Sequence, residues 1–174
     1  MDKELQAKAA DIRLLALDVD GVLTDGRIYY GNSGEELKAF NIKDGLGIKL
    51  LQGAGVTVAI ITGRSSDIVQ RRASELGISE IIQGREDKIT ALQQLARKLD
   101  IDLRECAYMG DDLPDLAAMR AAGIGMTVAD AAATVANHAD WQSRSAGGHG
   151  AVREACEYLL AARDALRNAE AGYL

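Results

Sequence analysis

Two acidic side chains, Asp18 and Asp20, stand two residues apart at the end of the apolar stretch Leu14–Val19. In an extended chain, side chains two positions apart point the same way, so both carboxylates can face one site. Two carboxylates at the end of a buried strand are costly unless a cation or a reaction needs them. Gly21 then allows a tight turn or a close approach to a ligand. The motif indicates a cation site or a reactive centre, although a polar strand end followed by an ordinary turn fits it equally well.

Two further motifs carry groups that can bind phosphate. Thr62 and the turn Gly63-Arg64 follow a second apolar stretch, where a hydroxyl and a helix start can together hold an anion. A simple threonine N-cap is the alternative. Lys88 stands at the start of an amphipathic helix, where the helix dipole disfavours a cation. A bound anion would explain Lys88, and a solvated lysine is the alternative.

An acidic cluster follows a later apolar stretch. Asp111, Asp112 and Asp115 lie within five residues of one another, and such carboxylates repel unless a positive charge sits among them. Helix capping accounts for one of them, with Pro114 near the first helical turn. Carboxylate oxygens together with water suit Mg²⁺, a hard cation that often also binds substrate phosphate. The cluster therefore predicts a magnesium site.

The elements that must position these motifs alternate in type. Five short strands are predicted, at Leu14–Val19, Val56–Ile61, Glu80–Ile82, Ala107–Met109 and Ile124–Val128. Four helices are predicted, at Asp67–Leu76, Lys88–Leu99, Leu113–Ala121 and Ala151–Ala169. This alternation predicts a mostly parallel sheet covered by helices on both faces, with ligands bound outside the carboxyl ends of its strands. Residues 27–40 interrupt the pattern and are predicted to form a β-hairpin around the turn Gly31–Gly34.

Length and composition exclude several classes of protein. With 174 residues, 48% of them hydrophobic, the chain fits one globular domain. A net charge of -6 and only 4% aromatic residues argue against nucleic-acid binding. No apolar run approaches the ~20 residues that cross a bilayer, and the start is no secretory signal. Two cysteines, Cys106 and Cys156, are too few for a disulfide scaffold, and two isolated histidines make a zinc site improbable. We expect a reduced, cytoplasmic protein that binds neither nucleic acid nor membrane.

The ordered set of Asp-x-Asp, Thr62, Lys88 and the acidic cluster resembles the haloacid dehalogenase superfamily of phosphotransferases, over about residues 12–155. The resemblance implies a Rossmann-like α/β domain spanning residues 1–174. It also implies that Asp18 is the nucleophile and forms an aspartyl-phosphate, while Asp20 serves as general acid and then as general base. Thr62 and Lys88 would hold the phosphoryl oxygens. Mg²⁺ would bind Asp18, the backbone carbonyl of Asp20 and Asp111, with Asp112 and Asp115 orienting the metal shell.

The gaps between the motifs leave no room for a cap domain, so an open site is expected, suited to a large substrate or to closure by a neighbouring subunit. Within the superfamily, DVDGVLTDG, the hairpin, Asn41–Gly47, ITGR and Gly147–Glu154 resemble the capless family of 3-deoxy-D-manno-octulosonate 8-phosphate (KDO 8-phosphate) phosphatases of lipopolysaccharide precursor synthesis. This resemblance implies a homotetramer in which the hairpins pack together and neighbours complete each site. His149 departs from the arginine common in that family. The tail, residues 168–174, either enters a neighbour's site or is disordered.

The same resemblance implies that a sugar acid phosphate is the substrate. Its binding residues would be Asp20, Lys88, Asn41, Lys43, Asp44, Gly45, Lys49, Arg64 and Arg72. Cationic side chains can pair with both the carboxylate and the phosphate of such a molecule, although Lys49 and Arg72 can equally be solvated residues of helices. A phosphatase for another nonulosonate 9-phosphate and a non-catalytic oligomerisation module remain alternatives. A phospho-receiver domain is disfavoured, because Asp20 would supply an acid/base group beside the phosphorylated aspartate.

Overall fold

The computed structural model describes residues 3–174 and contains a central six-stranded sheet together with a separate hairpin. In chain order the strands are β1 Leu14–Leu17, β2 Tyr29–Tyr30, β3 Glu36–Leu37, β4 Thr57–Ile61, β5 Glu80–Ile82, β6 Cys106–Gly110, β7 Ile124–Thr127 and β8 Trp141–Gln142. The sheet has the order β5-β4-β1-β6-β7-β8, and every pair in it is parallel. Strand β1 therefore lies between β4 and β6, with Leu17 opposite Ile60 on one side and Met109 on the other.

Helices cover both faces of this sheet. They are α1 Lys3–Ala10, α2 Ile42–Gly53, α3 Asp67–Glu75, α4 Lys88–Lys98, α5 Leu116–Ala121, α6 Ala133–Ala136, α7 Ala151–Ala162 and α8 Leu166–Glu170. Because side chains alternate along a strand, β1 sends Leu15 and Leu17 into one apolar cluster and Leu14 and Ala16 into the other. Helices α1, α2, α3 and α7 pack on the first cluster, and α4, α5 and α6 on the second. Burial on both faces explains why β1 is uniformly apolar.

The predicted fold class is confirmed: the described residues, 3–174, form a parallel sheet with helices on both faces and contain no cap domain. The hairpin is confirmed as an antiparallel pair, Tyr29 opposite Leu37 and Tyr30 opposite Glu36, but its ladder is shorter than residues 27–40. The predicted helix Ala151–Ala169 is broken, since α7 ends at Ala162 and Asp164 adopts a left-handed φ of 56° before α8 begins. Part of the predicted tail lies in α8, and Ala171–Tyr173 forms a 3-10 turn rather than a disordered end.

The candidate substrate-binding residues Asn41 to Gly45 lie at the start of a helix, because α2 begins at Ile42. Asn41 is its N-cap, and the Asn41 side-chain oxygen accepts the Lys43 N–H at 2.8 Å. Gly45 and Gly47 both belong to this helix and are buried where α2 packs against other parts of the protein. A Cβ on Gly45 would lie 2.5 Å from the Arg72 guanidinium, and one on Gly47 would lie 2.9 Å from the Arg153 side chain. The glycines therefore permit close packing of α2 and do not mark a loop.

Helix α1 and strand β8 were not predicted. Within residues 3–174, no helix is both long enough and apolar enough to span a bilayer.

Candidate active site

The carboxyl ends of β1, β4 and β6 open into one cavity of about 730 Å³, and all four sequence motifs contribute to its lining. The predicted residues that line it are Asp18, Asp20, Thr62, Arg64, Lys88, Asp111, Asp112 and Asp115. Six carboxylates surround this cavity, counting Glu86, against the two cations Arg64 and Lys88. Such an excess of negative charge would repel a phosphate group unless a metal cation offset it.

Asp18 is the buried residue that directly follows β1. Its backbone N–H donates to the Met109 carbonyl at 3.0 Å, which extends the parallel ladder by one residue and aims the side chain out of the sheet's edge. Its carboxylate lies 3.1 Å from the Lys88 ammonium. Burial raises the pKa of Asp18 to about 6, as does the nearby charge of Asp115, while Lys88 acts in the opposite direction. Loss of water therefore disfavours the ionised form of this carboxylate.

Lys88 is buried, so its interpretation as a solvated lysine is wrong. Its ammonium lies 2.6 Å from an Asp115 carboxylate oxygen and 3.1 Å from Asp18. Burial alone would lower the pKa of Lys88, but these two carboxylates raise it overall. The ion pairs explain a cation at the start of α4, where Asp87 supplies the N-cap by accepting the Thr90 N–H.

Asp115 accepts hydrogen bonds from several groups in and around the acidic loop. Besides Lys88, it accepts the Tyr108 hydroxyl at 3.0 Å and the backbone N–H groups of Asp111 and Asp112 at 3.1 and 3.2 Å. A Cβ on Gly110 would lie 2.2 Å from the Asp115 Cβ, so only glycine fits beside it. The pKa of Tyr108 is raised well above its ordinary value by burial and by Asp115, so its hydroxyl stays a neutral donor. Sequence reasoning missed Tyr108, because it stands within an otherwise apolar strand.

The residues present fit a divalent cation. Asp18, Asp111 and Asp115 each offer a carboxylate oxygen, and these oxygens lie within 4.8 Å of one another. The buried Asp111 Oδ1 has no hydrogen-bond partner among residues 3–174. Burial raises the pKa of Asp111 to about 7, and the charges of Asp115 and Asp18 act in the same direction. Mutually repelling carboxylates with an unpaired oxygen form a suitable donor set for Mg²⁺. The predicted ligand role of the Asp20 backbone carbonyl stays a prediction.

Gly21 is required by the turn that follows Asp20. It has a φ of 93°, which L side chains rarely adopt. A Cβ there would also lie 2.1 Å from Asp111 Oδ2. The first motif and the acidic loop therefore meet at this glycine.

Asp20 contacts two cations. Its Oδ1 binds the Lys38 ammonium, and its Oδ2 lies 4.0 Å from the Arg64 guanidinium. Arg64 also lies 3.6 Å from Glu36 and donates to the Tyr30 hydroxyl at 3.3 Å, which connects the site to the hairpin. Lys38 was missed by sequence reasoning.

Thr62 directly follows β4 and is buried. Its backbone N–H donates to the Ile82 carbonyl at 2.9 Å, and its carbonyl accepts the Arg85 N–H at 3.2 Å. The N-cap of α3 is Ser66, so the alternative interpretation of Thr62 as an N-cap is wrong. Thr62 lines the cavity, and the contact of its hydroxyl with phosphate stays a prediction.

The outer candidates lie away from the cavity lining. They are Asn41, Lys43, Asp44, Gly45, Lys49 and Arg72. Several connect secondary-structure elements: the Asn41 amide donates to the Gly148 carbonyl at 3.2 Å, and Arg72 donates to the Asn41 carbonyl at 3.4 Å. Buried Asp44 accepts the Arg153 N–H at 2.8 Å, and burial raises its pKa. Lys43 and Lys49 are exposed. Their roles toward substrate stay predictions.

The glycine-rich loop packs against the turn after Asp20. The Gly148 N–H donates to the Val22 carbonyl at 3.0 Å. A Cβ on Gly147 would lie 1.8 Å from the Gly21 carbonyl oxygen. His149 is exposed, with its Nδ1 2.8 Å from the Gly147 carbonyl. Close packing on the turn after Asp20 therefore accounts for Gly147 and Gly148.

The chain is similar to known phosphatases. A profile described as haloacid dehalogenase-like hydrolase matches residues 66–154. The 3-deoxy-D-manno-octulosonate 8-phosphate phosphatase KdsC of Escherichia coli is 49% identical over 167 residues, which cover 96% of this chain and 89% of that protein. KdsC of Yersinia pestis is 48% identical over 162 residues, covering 93% and 87%. A crystal structure of this phosphatase from Moraxella catarrhalis, in complex with a magnesium ion, a phosphate ion and a KDO molecule, is 49% identical, has a TM-score of 0.98 and covers 100% of both chains.

The parallel sheet, the strand-end motifs and the matching profile define the protein's class: it is a haloacid dehalogenase-like hydrolase. Near 49% identity over almost the whole chain narrows this class. The chain belongs to the KDO 8-phosphate phosphatase family.

Proposed function

We propose that this protein hydrolyses KDO 8-phosphate to KDO and inorganic phosphate, with Mg²⁺ as its cofactor, in the synthesis of lipopolysaccharide precursors. The observation that carries the proposal is the Moraxella catarrhalis structure, which is a complex with magnesium, phosphate and KDO and whose chain matches this one throughout. The cavity adds independent support, because the carboxylates of Asp18, Asp111 and Asp115 form a donor set for the metal.

The chain's own residues divide the chemistry among them. An Asp18 carboxylate oxygen attacks phosphorus, and the bond from phosphorus to the sugar oxygen breaks, leaving an aspartyl-phosphate. Asp20 gives a proton to the departing alkoxide and then takes one from the water that hydrolyses the intermediate. Lys88 and the Thr62 hydroxyl bind the oxygens of the transferring group. When bound, Mg²⁺ offsets the repulsion between the acidic cavity and the phosphate.

The hairpin supports the proposal of a homotetramer. Its outer side chains are largely apolar and exposed: Tyr29 is 48% and Leu37 60% exposed, and Ile42 just beyond it is 82% exposed. Neighbouring exposed apolar side chains of this size mark a surface that another protein covers. A second copy of the chain is the partner that the family predicts, and it would bring the outer candidates Lys43 and Lys49 toward a neighbour's cavity. We place the enzyme in the cytoplasm, consistent with its two buried free thiols.

A panel of phosphate esters tests the substrate. The value of kcat/KM with Mg²⁺ is expected to be highest for KDO 8-phosphate, lower for a sialic-acid-type 9-phosphate and lowest for glycerol phosphate. Equal values for KDO 8-phosphate and glycerol phosphate would overturn the substrate and leave only the phosphatase class. A higher value for the 9-phosphate would favour the alternative nonulosonate enzyme.

Asp18→Asn tests the chemistry. The amide cannot attack phosphorus, so turnover should fall to background while the thermal melt stays cooperative. Asp100→Asn is the matched control: it removes one carboxylate from an exposed position whose φ of 54° suits asparagine, and it should keep full activity. Wild-type turnover by Asp18→Asn would refute the nucleophile. Absence of turnover in the wild-type protein with Mg²⁺ would favour the non-catalytic module.

A further inference from the structure

Lys38 is a buried cation that the proposed chemistry does not use. Its side chain is 0% exposed, although it belongs to the hairpin, whose other side chains are largely open to solvent. Its ammonium binds Asp20 Oδ1 and lies 3.4 Å from Glu36 Oε1. A buried ammonium is costly without such partners, so a lysine at this position is explained by the carboxylates it contacts.

The hairpin is built so that Lys38 faces Asp20. From Glu36 to Phe40 the accessibility of the residues alternates: Glu36, Lys38 and Phe40 are partly covered, and Leu37 is exposed. Glu36 and Lys38 thereby depart from the usual pattern of a surface strand, in which apolar side chains face inward, whereas Phe40 packs against the core. Arg64 completes the arrangement, since it lies 3.6 Å from Glu36 and 4.0 Å from Asp20 Oδ2. The two cations, Lys38 and Arg64, therefore each lie close to both Asp20 and Glu36.

We propose that Lys38 is a positioning residue for the acid/base step at Asp20. Because Lys38 binds Oδ1, it fixes the rotation of the carboxyl group and leaves Oδ2 as the atom that gives and takes protons. The inference rests on the proposed function, in which Asp20 protonates the departing alkoxide. Through Lys38 the hairpin thus takes part in the chemistry of its own subunit, in addition to any contact it makes with a neighbouring subunit.

The consequence of losing this orientation depends on the leaving group. A sugar or glycerol alkoxide is a strong base and needs a proton as the bond to phosphorus breaks. A 4-nitrophenolate is a weak base and departs without one. Because kcat/KM reports the steps up to the first irreversible one, its value with an aryl phosphate does not contain the later proton transfer to Asp20.

The experiment compares Lys38→Met with the wild type on KDO 8-phosphate, glycerol phosphate and 4-nitrophenyl phosphate at saturating Mg²⁺. We expect kcat/KM to fall about 100-fold for both alkyl phosphates and to stay within about threefold for the aryl phosphate, given the usual contribution of a general acid. Lys98→Met is the matched control: it removes a surface lysine that lies 2.7 Å from Glu80, and it should change none of the three values. If Lys38→Met does not fold, Lys38→Gln replaces it: its amide is shorter and uncharged, so it should hold Oδ1 less firmly and give the same split between alkyl and aryl phosphates by a smaller factor, and no split would overturn the inference.

Two results would overturn the inference. An equal fall on all three esters would show that Lys38 only maintains the structure of the site; the ratio of alkyl to aryl activity does not depend on the fraction of folded enzyme. A fall on KDO 8-phosphate alone would show that Lys38 binds the sugar's carboxylate, which glycerol phosphate lacks. The proposed function is tested separately by the wild-type values, so its failure is not confused with that of Lys38.

Discussion

Replacing Asp111 with asparagine should stabilise the metal-free protein and abolish its response to Mg²⁺. Burial and the neighbouring carboxylates raise the pKa of Asp111 from 3.8 to about 7. A carboxyl group whose pKa is higher in the folded state favours folding at low pH, and this contribution is lost as the pH rises through the folded-state pKa. At pH 8 the metal-free protein therefore carries the full cost of an ionised Asp111, and the asparagine variant does not.

The magnitude follows from the pKa values. A rise from 3.8 to about 7 corresponds to roughly 4 kcal/mol at about 1.36 kcal/mol for each pH unit. Solvent reaches this partly exposed side chain and screens its interactions, so we expect about 2 kcal/mol. For a domain of this size that free energy raises Tm by roughly 4–8 °C. Mg²⁺ at a hundred times its Kd would stabilise the wild type by about 2.7 kcal/mol, so the order of the two melting temperatures should reverse.

The assay is a series of thermal melts in EDTA and in Mg²⁺, from pH 4 to pH 8.5. In EDTA, Asp111→Asn should melt above the wild type at pH 8, and the gap should narrow as the pH falls toward 4. In Mg²⁺, only the wild type should gain stability. Asp100→Asn controls for the loss of one negative charge and should follow the wild type in both conditions. An Asp111→Asn protein that melts at or below the wild type in EDTA at pH 8 would refute the electrostatic argument.

Two other variants test how the cavity is held together. Lys88→Met should lower the free energy of unfolding by about 3–5 kcal/mol in denaturant titrations at pH 8, because it leaves two buried carboxylates without their cation; an unchanged midpoint would contradict the buried ion pairs. Gly21→Ala should cost about 1–3 kcal/mol and weaken Mg²⁺ binding in calorimetric titrations, because it strains the turn and forces a methyl group against Asp111. Gly53→Ala is its control, since nothing lies within 4 Å of that added Cβ, and equal effects of the two substitutions would refute the role of Gly21.

The centre of the site was predictable from sequence because parallel strands place their carboxyl ends at one edge. Once Asp18, Thr62 and Asp111 are assigned to strand ends, the sheet order brings them together, and the structure confirms that they line one cavity. The burial of Lys88 could not be predicted this way. Its ion pair with Asp115 joins residues 27 positions apart, and no local pattern reports which carboxylate a lysine will meet.

Local sequence patterns gave the wrong structure or role for residues whose surroundings are set by tertiary packing. Gly45 and Gly47 have low helix propensity, yet both lie in α2. Glycine is needed at these positions because arginine side chains occupy the space that a Cβ would fill. Tyr108 counted as an apolar strand residue, although its hydroxyl is part of the acidic site. Lys38 was overlooked because the hairpin was interpreted only as an outward-facing element.

The hairpin shows how one short element serves two surfaces. Side chains alternate along an extended chain, so Glu36 of β3 and Lys38 just beyond it contact the charged groups of the site, and Leu37 faces solvent. A shift of one residue would exchange the two sets, burying Leu37 against the acidic cavity and exposing the lysine. The ion pairs on the inner side therefore favour this register of the two-residue ladder. A partner that covers the apolar outer side would hold the same register from the other face, and would thereby stabilise the contact between Lys38 and Asp20.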